Sequence, residues 1–222
     1  NNPLAAIATC AEGLMRDEQR NNSSSEPNRN GSRAVAGERS RLKEYLEIIA
    51  KEAMRVRDTT ARLLAFARPE SGRREPVWLL REIKEVTTML DHSATRAGVE
   101  LVCQLSGDAP PVLGDPADLR QVAFNLIKNA LDASPRGGKI WIRLFLRDDR
   151  VVLEVEDQGS GVQPELRERI FEPFVTTKEP GAGTGLGLAI SHRIVTHHAG
   201  SLRLLSPKAG GACFSMELPR LR

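Results

Sequence analysis

Asn125-Leu126-Ile127-Lys128-Asn129-Ala130-Leu131-Asp132-Ala133 is the stretch whose reading decides the fold. On a helix, Asn125, Asn129 and Asp132 fall at i, i+4 and i+7 and share one face. Leu119, Val122, Leu126 and Ala130 form the adjacent apolar stripe. The pattern predicts a helix over 115–133 that packs on one side and offers short polar groups on the other. Neutral amide oxygens suit a hard cation that already carries phosphate and water ligands. Alone, the pattern also fits a solvated polar face.

Working outward, Lys139–Leu146 and Arg150–Glu156 read as a β-hairpin around Asp148-Asp149. The second strand runs into Asp157-Gln158-Gly159-Ser160-Gly161-Val162. A carboxylate at a strand end, followed by two glycines, can accept a hydrogen bond from an exocyclic amine such as adenine N6. An ordinary Asp-Gly turn has the same sequence. Further on, Gly181-Ala182-Gly183-Thr184-Gly185-Leu186-Gly187-Leu188 opens a helix predicted over 186–198 and closed by Gly200. Its free N–H groups make a phosphate cradle. It lacks the Lys-Ser/Thr of a Walker loop, and Leu186 and Leu188 stand where a dinucleotide fingerprint needs its third glycine.

The remaining pattern completes an α+β sandwich with helices on one face of a sheet. Leu79–His92 reads as a helix, Val99–Leu105 as a strand and Pro111–Gly114 as a short strand. Ser201–Ser206 and Cys213–Leu218 read as a final hairpin, with Gly210-Gly211 near its turn.

Upstream the period changes. Leu42, Leu46, Ile49, Ala53, Val56, Thr60, Leu63 and Ala67 alternate steps of four and three, a heptad seam on a helix over 38–68 that Pro69 ends. Leu4, Ile7, Ala11 and Leu14 form a shorter seam after Pro3, and 21–37 is a polar, Gly- and Ser-bearing connection. Two helices with one narrow seam each cannot bury a core alone. Two copies side by side make a four-helix bundle, so the hairpin predicts a homodimer. Residues 1–68 are thus a helical hairpin, 69–75 (PESGRRE) a linker and 76–222 a second domain.

Composition narrows the class. The chain has 222 residues, 27% of them charged, and a net charge of +3, with no basic run interleaved with aromatics. Nucleic acid is not the partner this charge implies. No apolar run approaches the ~20 residues that cross a bilayer, and no signal peptide opens the chain. Cys10, Cys103 and Cys213 are scattered and odd in number, which indicates neither a zinc site nor a disulfide framework and fits a reducing cytoplasm.

Taken in order, Asn125–Ala133, Asp157–Val162, Phe171-Glu172-Pro173-Phe174-Val175-Thr176-Thr177-Lys178 and Gly183–Leu188 resemble the N, G1, F and G2 boxes of sensor histidine kinases. The resemblance spans residues 76–219. It implies the Bergerat ATP-binding fold, shared with gyrase-type and chaperone ATPases, with ATP and Mg2+ as cofactors. Asn129 would hold the magnesium, with Asn125 alongside as a catalytic residue. Asp157 would read adenine, and Gly159, Gly161 and Val162 would line the base. Lys128, Asp132, Phe174, Thr176, Thr177, Lys178 and the Gly183, Thr184, Gly185, Leu186, Gly187, Leu188 run would complete the ATP site. Lys178 would also be catalytic, and Phe171 and Phe174 would anchor a mobile lid. A gyrase-type ATPase would instead carry a general-base Glu at Asn125.

Asn1-Asn2-Pro3-Leu4 resembles the end of the family's phosphoacceptor motif, His-Glu-x-x-Asn-Pro-Leu, in which the acceptor His would lie three residues before Asn1. His92, His192, His197 and His198 have no comparable context; the last two read as favourable helix-terminus residues. The resemblance therefore implies a kinase core, cut just after its acceptor, that phosphorylates this His and passes the phosphate to an aspartate on a response-regulator receiver domain. Asn2 would position water for regulator dephosphorylation. Membrane attachment would come only through a region further upstream.

Overall fold

The computed structural model describes residues 7–11, 13, 14, 16, 42–50, 52, 53, 56, 74–178, 183–205 and 210–221. The chain divides into two compact units, residues 1–67 with 178–183, and residues 68–177 with 184–222. No helix among the described residues is long and apolar enough to cross a membrane.

In the first unit, the described residues 7–16 and 42–56 are helical. Cys10 is buried, and Gly13 lies against the Tyr45 ring, where a Cβ would sit 3.3 Å from Tyr45 Cζ. The seam residues Leu42 and Leu46 are 46% and 52% exposed within one chain. Asn2, the 21–37 connection and the seam residues Thr60, Leu63 and Ala67 lie outside the described residues.

The second unit runs β1 (Glu75–Val77), α1 (Leu79–Ala97), β2 (Glu100–Leu105), β3 (Val112–Gly114), α2 (Pro116–Ala133), β4 (Lys139–Arg147), β5 (Arg150–Glu156), a 3-10 turn (Pro164–Leu166), α3 (Gly187–His197), β6 (Ser201–Leu205) and β7 (Cys213–Pro219). The main sheet has order β2-β4-β5-β7-β6; β2 and β4 are parallel and all other pairs antiparallel. β1 and β3 form a separate antiparallel pair. Period-2 alternation puts Ile140, Ile142 and Leu144 of β4 beside Val155 and Leu153 of β5, and Met216 and Phe214 of β7 continue the row. All are buried, and the three helices cover that face. The opposite face carries Arg143 paired with Glu156 at 2.6 Å and Arg147 paired with Glu217 at 2.7 Å.

Most elements fall where periodicity puts them, and the differences have local causes. The first helix runs five residues past His92, because nothing before Gly98, left-handed at φ 70°, breaks it. Glu75, the last residue of the expected linker, pairs with Gly114 in β1, a strand too short to show a period. Arg74 donates from Nη2 to the His197 carbonyl at 2.8 Å and to His197 Nε2 at 3.2 Å, covering the end of α3. The left-handed residue after α3 is Ala199, not Gly200. Gly200 lacks a side chain for a different reason: a Cβ there would collide with the Glu217 carbonyl and lie 2.5 Å from Leu218 Cδ2.

Candidate functional site

α2 is the hub. Its Asp115 N-cap accepts from Ala117 N–H at 2.8 Å, and Pro116 occupies the first turn, where a missing N–H costs nothing. Leu119, Val122, Ala123, Leu126 and Ile127 are almost fully buried against α1, α3 and the sheet, which fixes the helix in rotation. Arg120 bridges to α1 through Glu82 at 2.7 Å and Glu85 at 3.1 Å. His198 ties the start of α2 to the end of α3: Nε2 accepts from Asp115 N–H at 3.1 Å, so Nδ1–H donates to the Ile194 carbonyl at 2.7 Å. His198 thus stands at the end of α3, as expected, and is in addition a buried strut to α2, 4% exposed.

Rotation set in this way leaves Asn125, Lys128 and Asn129 at the margin of the core, with Asp132 exposed. Lys128 pairs with Asp132 one turn on. The Asn129 carboxamide makes no hydrogen bond to another described residue. Asn125 Nδ2 donates to the Gly187 carbonyl at 3.1 Å and to Ser191 Oγ at 3.2 Å, so the polar face of α2 meets the first turn of α3. That turn has no side-chain cap and no acidic residue. The N–H groups of Gly187, Leu188 and Ala189 precede the first helical bond, Ile190 N–H to the Leu186 carbonyl, and as the opening donors of a helix have no acceptor among the described residues.

The C-terminal end of α2 meets the loop after β5. A Cβ on Gly159 would stand 2.6 Å from the Ala133 carbonyl oxygen, so a glycine is required here by close contact with α2. Asp157 is 3% exposed. Its Oδ1 accepts from Gly159 N–H at 2.8 Å and Ala212 N–H at 3.1 Å, leaving Oδ2 as the acceptor among the described residues. Burial pushes this carboxyl above its ordinary 3.8, and the two N–H groups pull it back down. Gly211 sits at φ 81°, with its Cα packed on the Asp157 carbonyl, and no side chain fits there.

The third segment closes on the Phe171–Thr177 stretch. Phe174 N–H donates to the Gly185 carbonyl at 3.0 Å, and a Cβ on Gly185 (φ 65°) would lie 2.6 Å from Phe174 Cα. Phe171 packs on the His192 ring, with centroids 5.1 Å apart. Phe174 is left-handed and 66% exposed, so of the two expected anchors only Phe171 is packed. Thr176 and Thr177 are exposed; Thr184 and Leu188 flank the loop, and Leu186 is buried at 1% beneath it. Lys178 and Gly183 group with the first unit, and 179–182 lie outside the described residues.

The structure thus brings Asn125, Asn129, Asp157, Gly159 and the Thr184–Leu188 run around one helix. Sequence reasoning missed Ala212, Gly211 and Ser191. Gly210-Gly211 was a usable signal, but for a turn only. A nearby hollow of about 210 Å³ is lined by Gly161, Val162, Arg167, Leu204 and Gly211 among others; neither Asp157 nor Asn125 reaches it. No cluster of three or more His, Cys, Asp or Glu able to hold a metal occurs among the described residues.

Known proteins share this arrangement. The family model described as histidine kinase-, DNA gyrase B- and HSP90-like ATPase matches residues 114–222. The signal transduction histidine-protein kinase AtoS of Escherichia coli is 34% identical over 177 residues, which is 79% of this chain and 29% of that protein. The catalytic domain of histidine kinase ThkA is 30% identical with a TM-score of 0.61, over 67% of this chain and 96% of that structure. Full-length ShkA, solved in complex with AMPPNP, is 28% identical with a TM-score of 0.69, over 82% of this chain and 39% of that one. The chain spans 20% to 41% of the length of the curated relatives it matches. The N, G1 and G2 segments gathered at α2, and a ThkA catalytic domain 30% identical and matched over 96% of its length, place this chain in the sensor histidine kinase family, with a Bergerat-type ATP-binding domain.

Proposed function

We propose that this chain is the kinase core of a two-component sensor: it binds ATP with Mg2+ and directs the γ-phosphate to a histidine upstream of residue 1, for relay to a response-regulator aspartate. The observation that carries the reading is Asp157. A buried carboxylate whose hydrogen bonds both fall on Oδ1 keeps Oδ2 for a donor such as the adenine amine. The analogue in the ShkA complex is of the same nucleotide class.

The uncapped start of α3 supplies N–H donors and a positive helix end for the phosphates. The Asn129 and Asn125 oxygens fit a magnesium ion shared with phosphate, because neutral oxygens add no charge repulsion. Bound there, the ion would offset charge on the phosphates. Lys178, Thr176 and Thr177 would close over the γ-phosphate. In the transfer, the imidazole nitrogen bonds to the γ-phosphorus while the bond to the β–γ bridging oxygen breaks, and ADP leaves with that electron pair.

Exposure of Leu42 and Leu46 in one chain supports pairing of two hairpins in a homodimer. Use of ATP puts the core on the cytoplasmic side. Asn2 would act in regulator dephosphorylation; unchanged regulator-phosphate decay in an Asn2→Ala variant would remove that role. The test of the main reading uses γ-labelled ATP with the chain extended through the His-Glu-x-x segment ahead of Asn1. Acid-labile, base-stable phosphoprotein is expected. ATP hydrolysis with no phosphoprotein would instead favour a gyrase-type ATPase.

A further inference from the structure

Ser191 lies one turn into α3, is 0% exposed, and belongs to no box. Its hydroxyl donates to the Gly187 carbonyl at 2.9 Å, so its oxygen faces Asn125 as an acceptor. Asn125 Nδ2 donates to both the Gly187 carbonyl and Ser191 Oγ, two acceptors that lie side by side on α3. A flipped carboxamide would set Oδ1 against the Gly187 oxygen, two acceptors face to face. The hydroxyl and the carbonyl together therefore permit one orientation of Asn125, with Oδ1 turned away from them. They also pin the N-terminal turn of α3 to α2.

We infer that Ser191 is a positioning residue for the phosphate end of the nucleotide site. It aligns the first-turn N–H groups of α3 with the oxygen face of α2, so that one bound phosphate chain meets both. The inference rests on the nucleotide reading above and adds a residue that touches no ligand. Asp157 and its two N–H partners lie at the other end of α2 and do not depend on Ser191.

That separation makes the test. Affinities for adenosine and for ATP with Mg2+ are measured by calorimetric titration on the full 222-residue chain. Ser191→Ala removes one acceptor from Nδ2, and about tenfold weaker ATP binding is expected, with adenosine unchanged within about twofold. Ser191→Cys keeps the side-chain shape with a somewhat larger atom and offers only a weak acceptor, and gives the same result if the alanine variant does not fold. A purely structural role would lower melting temperature and leave the ATP-to-adenosine ratio as in the parent. A ratio within about twofold of the parent in either folded variant overturns the inference alone. A parent chain that binds neither ligand overturns the nucleotide reading and this inference with it.

Discussion

Asp157→Asn separates recognition from folding. The asparagine oxygen can take the place of Oδ1 and keep the N–H groups of Gly159 and Ala212 satisfied. The other position changes from an acceptor to an NH2 donor. An adenine amine then meets a donor where it had a charged acceptor. Loss of a hydrogen bond to a charged group costs about 1.5–3 kcal/mol, or roughly 10- to 100-fold in affinity. Folding should move the other way. The folded carboxyl titrates above its ordinary 3.8 because burial disfavours its charge. Its protonated form is therefore the one folding favours, and the stability it contributes is lost as pH rises through the folded value. At pH 7 the neutral amide escapes that penalty. The assay pairs a thermal melt with competitive titration by ATP and ITP, which differ at the 6-position. ATP should bind 10- to 100-fold more weakly, ITP should gain relative to ATP, and the melting temperature should hold or rise. ATP affinity within twofold of the parent would refute the reasoning about Oδ2.

Three further outcomes follow from the same geometry. Acidification should weaken ATP binding from a pH above 3.8, the ordinary carboxylate value, because protonated Asp157 presents O–H where the amine needs an acceptor; Asp157→Asn should flatten that dependence. Gly211→Ala forces a Cβ into the Asp157 carbonyl at φ 81° and should cost about 3 kcal/mol, read as a fall in urea midpoint. Arg120→Ala removes the 2.7 Å partner of Glu82, which is 5% exposed; because the Arg120 side chain is itself 39% exposed to solvent, the cost should be about 1–2 kcal/mol by urea unfolding. Adding Glu82→Leu should recover most of that loss.

What was legible followed from periodicity and from motif order. The apolar stripe of α2 set its rotation, and with it the shared face of Asn125 and Asn129. The alternation in β4 and β5 placed Asp157 at a sheet end. Other features depend on partners far along the chain. Asp157 takes a hydrogen bond from Ala212, 55 residues away, and no local pattern announces it. Ser191 reads as a small core residue until Asn125 is brought against it. His198 reads as a terminal histidine, and nothing local shows that its Nε2 also accepts from Asp115, 83 residues away. The resemblance implies that Phe174 is an anchor, yet its backbone is bound to Gly185 in a left-handed turn and its ring is exposed. β1 has three residues and no period to show.

The most direct test of the account is a crystal structure of this chain with AMPPNP and Mg2+. The adenine amine is expected within hydrogen-bond distance of Asp157 Oδ2, with the phosphates at the N-terminal turn of α3 and the ion on Asn129. A nucleotide seated elsewhere, for instance in the hollow beside Arg167, or an adenine turned away from Asp157, would contradict it.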